Sequence, residues 1–365
     1  MTNFRMILLS TAAVGLVTIA ATSTTSAGEV EKKFAWSGQT NRVVATGDDG
    51  EETFLIHQDG QTSGSRARMK ASAKTEAMTI GATVELAIQA GKSVSQHNAG
   101  SDGFSIRHSY VYVKNSMGQL TMGDTSHAGE SFAGMDVSST SNAEAFSGTV
   151  FDGIKFKDSG SADGLPAAGV AVSKGHGSDF SASRGSGASY TTPVFNGFKA
   201  KVSGVNDGGT AGEITYGGNF NGTKLKAGYT YMNIAGDKIE NKQGYGLGIS
   251  LASGLNLSGN YKFIEKDSKQ NAANNDDPSV IYGKIGYKMP AITSMGTTNI
   301  AVSYRKAEDV TITGDDFEAY SFLVNQGLND YGTTVYGGFS NIAYDTTLAD
   351  FDDINGIFMG MKVVF

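Results

Sequence analysis

The 365-residue chain holds 49 Gly, 19 Phe and 15 Tyr but only four Pro and no Cys, and its formal charge is −7. This aromatic content excludes a disordered polypeptide, the missing cysteines exclude a small disulfide-stapled fold, and the acidic balance excludes a typical nucleic-acid binder. Abundant Gly with Tyr and Phe favours many strands joined by tight turns over helices.

Residues 1–27 read as an export signal: Arg5 in a short n-region, an apolar run from Met6 to Ala20, and small residues up to Ala27 before a cut. Arg5 is the only charge there, so the expected mature chain, 28–365, carries −8. No later stretch approaches the ~18 apolar residues of a transmembrane helix.

The mature chain alternates instead. In Thr79–Ala90 one face carries Ile80, Ala82, Val84, Leu86 and Ile88, and the other carries Thr79, Gly81, Thr83, Glu85, Ala87 and Gln89. Similar windows predict strands at 34–46, 63–74, 77–91, 103–115, 118–124, 182–193, 196–206, 211–220, 223–233, 242–252, 254–265, 278–289, 296–307, 315–326, 330–342 and 354–365. Sixteen strands of this length, joined by alternating short turns and long polar loops, form the pattern of an all-β, antiparallel transmembrane barrel. Asn115–Gly118, Ser253-Gly254 and Asn329 read as short turns, and Lys266–Asp277 and Ala343–Asp353 as long loops. Phe34, Trp36, Tyr110, Tyr112, Tyr229, Tyr231, Tyr287 and Tyr331 lie near strand ends, where aromatic girdles sit between lipid and water.

The rhythm breaks between Asp124 and Ser181. Residues 125–180 carry seven carboxylates (Glu130, Asp136, Glu144, Asp152, Asp158, Asp163, Asp179) and three lysines (Lys155, Lys157, Lys174) in a Gly/Ser/Ala-rich setting. A loop so far beyond about 12–15 residues is functional or disordered. At the other end, Ile357, Met359, Met361, Val363 and Phe365 share one face of a final strand.

SRGSGASYTTPVFNGFKAKVSG (183–204) resembles the Gram-negative general porins, whose strand after the constriction loop carries Arg184, Tyr190, Thr192-Pro193 and Phe195-Asn196-Gly197-Phe198 in this numbering. GSRARMKAS (64–72) is similar to their second strand, and IRHSYVYVKNSMGQLTMGD (106–124) to their fourth strand, turn and fifth strand. The resemblance implies trimers of sixteen-stranded barrels in the outer membrane, a third loop (125–180) folded into the pore, contact with lipopolysaccharide, and recognition of the strand ending at Phe365 by the barrel-assembly machinery. Two departures stand out: Asp124 where many members have Arg, and a spacing from Arg184 to Tyr190 that is one residue shorter than usual.

A charge facing lipid near the midplane costs about 2–4 kcal/mol, so strand charges are expected to face water. Arg66, Arg68 and Lys70 alternate with Ala67, Met69 and Ala71 and form a cationic column. Arg107 is expected to share a face with Ser109, opposite Ile106, Tyr110 and Tyr112, while Arg42 turns outward if Trp36 does. If the loop folds inward, Glu130, Asp136 and Glu144 face Arg66, Arg68 and Arg107 across the narrowest water, with Arg184 an additional candidate at that constriction. Part of the loop, the Gly/Ala-rich half after Asp158, is expected to stay outside or to form an extra hairpin.

The pairs Asp48-Asp49, Asp276-Asp277, Asp315-Asp316 and Asp352-Asp353 fall in predicted loops, where turn formation is a simpler role than divalent-ion binding. The five His residues are scattered, and no metal-binding, phosphate-loop or nucleophile-elbow motif occurs, so neither an enzyme nor a cofactor is expected. His127 with Glu130 or Asp124 is the one local His-carboxylate candidate. The expected function is passive diffusion of small hydrophilic solutes and ions, with a substrate-preferring channel, or a non-pore surface adhesin or blocked structural barrel, as alternatives.

Overall fold

The computed structural model describes residues 29–89, 103–130, 135–157, 170–177, 184–206, 209–233, 239–266, 276–289, 291, 295–347, 349 and 351–365. The expected export signal, most of the polar loop after Lys266 and residues 158–169 of the break lie outside these. Seventeen strand segments close into one antiparallel barrel: β1 (Glu31–Asp48), β2 (Thr53–Asp59), β3 (Arg66–Lys74), β4 (Thr79–Gln89), β5 (Gly103–Asn115), β6 (Gly118–Ser126), β9 (Arg184–Thr191), β10 (Phe198–Val205), β11 (Thr210–Phe220), β12 (Thr223–Asn233), β13 (Ile239–Ser250), β14 (Leu255–Lys266), β15 (Ser279–Lys288), β16 (Thr298–Glu308), β17 (Asp316–Leu328), β18 (Thr333–Asp345) and β19 (Ile354–Val364). The short strands β7 (Glu144–Ala145) and β8 (Gly148–Thr149) pair with each other inside the barrel.

The segments make sixteen staves, because β2 and β3 are two pieces of one. β2 pairs with residues 42–48 of β1 and β3 with residues 31–39, and the chain bulges away at 60–65. The sequence reading placed this stave at 63–74 and missed β2. On its other side β1 pairs with β19, which closes the barrel. The Gly38 and Phe365 backbones exchange hydrogen bonds of 2.7 and 3.0 Å there, and the Phe365 ring fills the space a side chain at 38 would need.

Period two holds around most of the wall. Ile80, Leu247, Leu257, Ile285, Val302, Phe322, Ile357 and Met359 are exposed on the outer face, whereas Thr83, Glu85, Asn256, Ser258, Asn260, Ser303 and Ser321 are buried on the inner one. This is a sheet with a greasy exterior and a polar interior. The staves tilt. A hydrogen-bonded row that leaves Lys74, at the short-turn end of β3, crosses Thr79, Lys114, Gln119 and Thr191 and reaches Tyr344, at the long-loop end of β18.

Tyr229, Tyr245 and Tyr261 form a row of adjacent rings on the outer face, and Tyr304 with Tyr320 another. Tyr110 and Tyr112 do not join such a girdle. A bulge in β5 puts Glu85 and Leu86 opposite His108 and Ile106, skipping Arg107, so the alternation shifts by one. Val111 and Val113 then face out with Ser109, and Tyr112 lies over Gly81 on the inner face. Arg42 resolves as its register with Trp36 required: buried Asn41 and Val43 flank it on the inner face, and it reaches His57 on the outer one.

Candidate functional site

The break in rhythm enters the barrel. After β6 the chain turns inward and follows the inner wall through successive docking points. Ala128 N–H donates to Ser203 Oγ (2.9 Å) and Gly129 N–H to Glu213 Oε2 (2.7 Å), on β10 and β11. Val137 N–H donates to Ser258 Oγ on β14 (2.9 Å), and the Met135 carbonyl lies where any side chain at Gly248 would stand. The wall glycine is therefore a socket for the loop backbone.

Beyond this point the loop meets a buried polar cluster. Lys284 of β15 donates to Asp136 Oδ2 (2.9 Å), Thr140 Oγ1 (3.2 Å) and the Glu144 carbonyl. The Glu144 carboxylate accepts from Tyr282 (3.0 Å), Ser303 (2.7 Å) and Ser321. Arg305 of β16 donates to the Ala145 and Phe146 carbonyls (2.9 Å each), and its guanidinium lies 4.8 Å from the Tyr282 ring centroid. Burial works to raise the Asp136 carboxyl, but Lys284 and the Ser138 hydroxyl and N–H override it and hold it below the ordinary carboxylate range. The stability this pair contributes is present above the ordinary Asp value and is lost as pH falls through the lowered one.

The far end of the loop is apolar. Phe146, Val150, Phe151, Ile154, Phe156 and Val172 pack against Val43, Phe54, Ile56, Phe317, Tyr336, Tyr344 and Phe358 of the wall. Six such side chains contribute on the order of 10 kcal/mol before the cost of ordering the segment. Gln58 caps the run by donating to the Val150 carbonyl (2.6 Å). The return segment 170–177 is also inside: Phe156 N–H donates to Val170 O, and buried His176 pairs with Asp152 at 3.0 Å. Of the half after Asp158, expected in part to stay outside or to form an extra hairpin, the described residues 170–177 lie inside.

Loop contacts among the described residues run along β9 to β19 and onto β1 and β2, leaving the arc of β3 to β5. On that arc three arginines converge on one buried carboxylate. Arg107 Nε lies 2.8 Å and Arg66 Nη1 3.4 Å from Glu85 Oε1, and Arg68 bonds Oε2. The bulge at Arg107 aims its side chain here, opposite to Ser109 rather than beside it. Lys70 continues the inward set of β3, opposite Thr83. The cluster carries three positive charges against one negative.

The loop carboxylates expected across from these arginines are elsewhere. Asp136 pairs with Lys284, Glu144 binds the hydroxyls of β15 to β17, and Glu130 lies near Lys201 of β10. The cations and hydroxyls of that wall hold them, and Glu85, on the arginines' own side, supplies the counter-charge. Arg184 opens β9 opposite Ser126; buried Ser189 fixes the inner set as 185, 187 and 189, which leaves Arg184 on the outer side, though its charge is felt by Arg66 and His108.

Sequence reasoning missed Glu85, Lys284, Arg305 and Lys362, which donates to Asn142 Oδ1 (2.7 Å). Each stands on the polar parity of an alternating strand, and that signal was available. The remaining candidates have structural duties. Asp49 accepts the Glu51 and Glu52 N–H groups, and Asp315 accepts those of Val310, Thr311 and Ile312 with the Tyr344 hydroxyl. His127 bonds the Gly185 carbonyl at 3.1 Å, while Asp124 points to the outer face, where Ser186 donates to it.

A family model described as Gram-negative porin matches residues 10–347. No curated protein sequence matches the chain. Among solved structures, the anion-selective porin from Comamonas acidovorans superposes with a TM-score of 0.63 at 16% identity, covering 92% of this chain and 100% of that one. OmpF of Salmonella typhi, in complex with daunomycin, gives 0.57 at 12% identity over 92% and 98%. The outer-membrane channel DcaP of Acinetobacter baumannii gives 0.54 at 12% over 94% and 99%. At these identities the likeness speaks for the fold.

Proposed function

The chain belongs to the Gram-negative porin family, and on that basis we propose that its arginine arc selects what passes. The barrel is integral to the outer membrane and forms a water-filled channel for passive diffusion of small hydrophilic solutes and ions. In the proposed arrangement the loop takes up the wall from β9 round to β2, so the remaining water runs past Arg66, Arg68 and Arg107, with Lys70 beside them. The observation that carries this reading is the convergence of three guanidiniums on the single carboxylate of Glu85.

A net positive wall at a constriction raises the local concentration of anions and lowers that of cations. Small anions are therefore the favoured solutes, a preference the name of the Comamonas porin states for that protein. Glu130, Asp136 and Glu144 act as anchors rather than as an opposing acidic wall. We further propose that residues 1–27 are removed on export, that the chain works as a homotrimer in contact with lipopolysaccharide, and that the strand ending at Phe365 is read by the assembly machinery. No catalytic role is assigned to any residue.

Reconstitution into planar bilayers tests this reading. Stable openings in groups of three equal steps are expected, with conductance rising linearly with salt. Saturation by one class of solute would replace the general pore by a substrate-preferring one, and silent membranes would remove both.

A further inference from the structure

One bulged residue in β5 has two effects. It aims Arg107 at Glu85, and it turns Tyr110 and Tyr112 inward, whereas an unbroken alternation from the outward Ile106 would put both in lipid. The two tyrosines are half-buried and belong to the arc that the described loop contacts leave free. His108 meets the Tyr110 ring nearly edge-on at 6.0 Å, and the Tyr110 and Tyr112 ring centroids lie 6.4 Å apart. Tyr112 fills the space that a side chain at Gly81 would need, so the wall backs it. Neither hydroxyl has a hydrogen-bond partner among the described residues.

The register sets these rings among cations. Arg68, Glu85 and His108 stand side by side on β3, β4 and β5. The next inward row toward the short-turn end, about 6.6 Å along the strands, is Lys70, Thr83 and Tyr110. Ser72, Gly81 and Tyr112 follow, and then Lys74, Thr79 and Lys114. Among the described inward residues of β3 to β6, Glu85 is the one carboxylate, against Arg66, Arg68, Lys70, Lys74, Arg107 and Lys114. Glu85 engages Arg107 only through Nε, and the two terminal nitrogens of that guanidinium have no described partner. The Arg68 and Arg107 side chains are 32% and 24% exposed against 16% for Arg66, so these two are the ones a solute in the lumen reaches.

We infer that this wall holds aromatic carboxylates as they pass: the solute ring packs on Tyr110, and its carboxylate is taken by the free nitrogens of Arg107 with Lys70 beside them. The inference rests on the arginine-arc reading and deepens it by naming the class of anion that dwells there longest. Aromatic rings attract one another, offset or edge-on, at centroid separations of about 4.5–7 Å. A guanidinium offers a carboxylate two parallel N–H donors. Tyr110 lies one row, about 6.6 Å, below the guanidiniums, so an acid with a single ring spans both contacts. Tyr112 and Lys114 repeat the pairing of ring and cation two residues apart, which gives a second resting place toward the short-turn mouth. An aliphatic acid of equal charge meets the same cations but lacks the ring contact, and so does chloride.

The test adds benzoate or cyclohexanecarboxylate, at neutral pH where both are ionised, to the wild-type channel in potassium chloride and reads the concentration of each that halves the current. Cyclohexanecarboxylate has the same charge and a ring at least as apolar, so a merely greasy wall would not favour benzoate. Benzoate is expected to act at a concentration about three- to tenfold lower. Without either acid the conductance still rises linearly with salt. The advantage should vanish in Tyr110→Leu/Tyr112→Leu and persist in Tyr110→Phe/Tyr112→Phe, which keeps the rings; the single Leu variants, each expected to lose part of it, serve if the double one fails to assemble. Survival of the advantage in the Leu variants, or its loss in the Phe variant, overturns the stacking role. A chloride-preferring wild type that the two acids block alike, or not at all, overturns the tyrosine site and leaves the arginine arc standing. A potassium-preferring wild type overturns both.

Discussion

Neutralising the arginine cluster as a unit, by Arg66→Gln, Arg68→Gln, Arg107→Gln and Glu85→Gln together, is expected to move the zero-current potential in a salt gradient strongly toward cations. Glu85 has to change with the arginines. It is buried, and removing its partners alone would strand an uncompensated carboxylate, which costs about 3–5 kcal/mol and confounds selectivity with misfolding. The quadruple variant removes a net charge of two. For an ion passing about 7 Å away in water, that charge is worth about 1.2 kcal/mol, reduced about twofold by screening at 0.1 M salt. Anions and cations shift in opposite senses, so their permeability ratio should change by roughly tenfold. Unchanged selectivity would mean that ions pass the barrel at another point.

The second large effect is expected at the loop anchor. Lys284→Met leaves Asp136 and the Glu144 carbonyl without their cation inside the wall, a loss on the order of 3–5 kcal/mol. Docking of 135–146 should weaken, and open-channel current noise and protease cleavage within the loop should rise. Asp136→Leu combined with Lys284→Met removes both charges and is expected to restore a quiet channel, since an apolar replacement of a buried pair is often neutral. A Lys284→Met channel as quiet as the wild type would show that the apolar end of the loop, from Phe146 to Phe156, suffices to hold it.

Where one barrel face meets lipid and the other meets water, the sequence was readable. Thr79–Ala90 and the pair at 242–252 and 254–265 alternate cleanly because their inner faces are polar, and the register carries that alternation through β4, β13 and β14. β2 was hidden for the converse reason. Phe54 and Ile56 face inward and Leu55 outward, since this inner wall packs against the loop's aromatic core, and apolar residues on both faces erase the period of two. Tyr110 and Tyr112 were misplaced because one bulged residue, Arg107, inverts every face after it.

The cationic column was legible from Arg66, Arg68 and Lys70 alone, but the partners of the loop carboxylates were not. Lys284 lies 148 residues from Asp136, and Arg305 lies 160 from Ala145, separations that leave no local pattern. The apolar residues of the loop were visible as letters. Phe146, Val150, Phe151, Ile154 and Phe156 within a Gly/Ser-rich stretch mark a segment that packs, and reading only its charges led to the wrong wall.

The central claim is that solutes diffuse through water bordered by the Arg66, Arg68 and Arg107 arc, and the zero-current potential of the wild-type channel tests it most directly. Across a tenfold potassium chloride gradient the predicted sign is that of chloride preference. A potential of the opposite sign, with potassium favoured, would contradict the account.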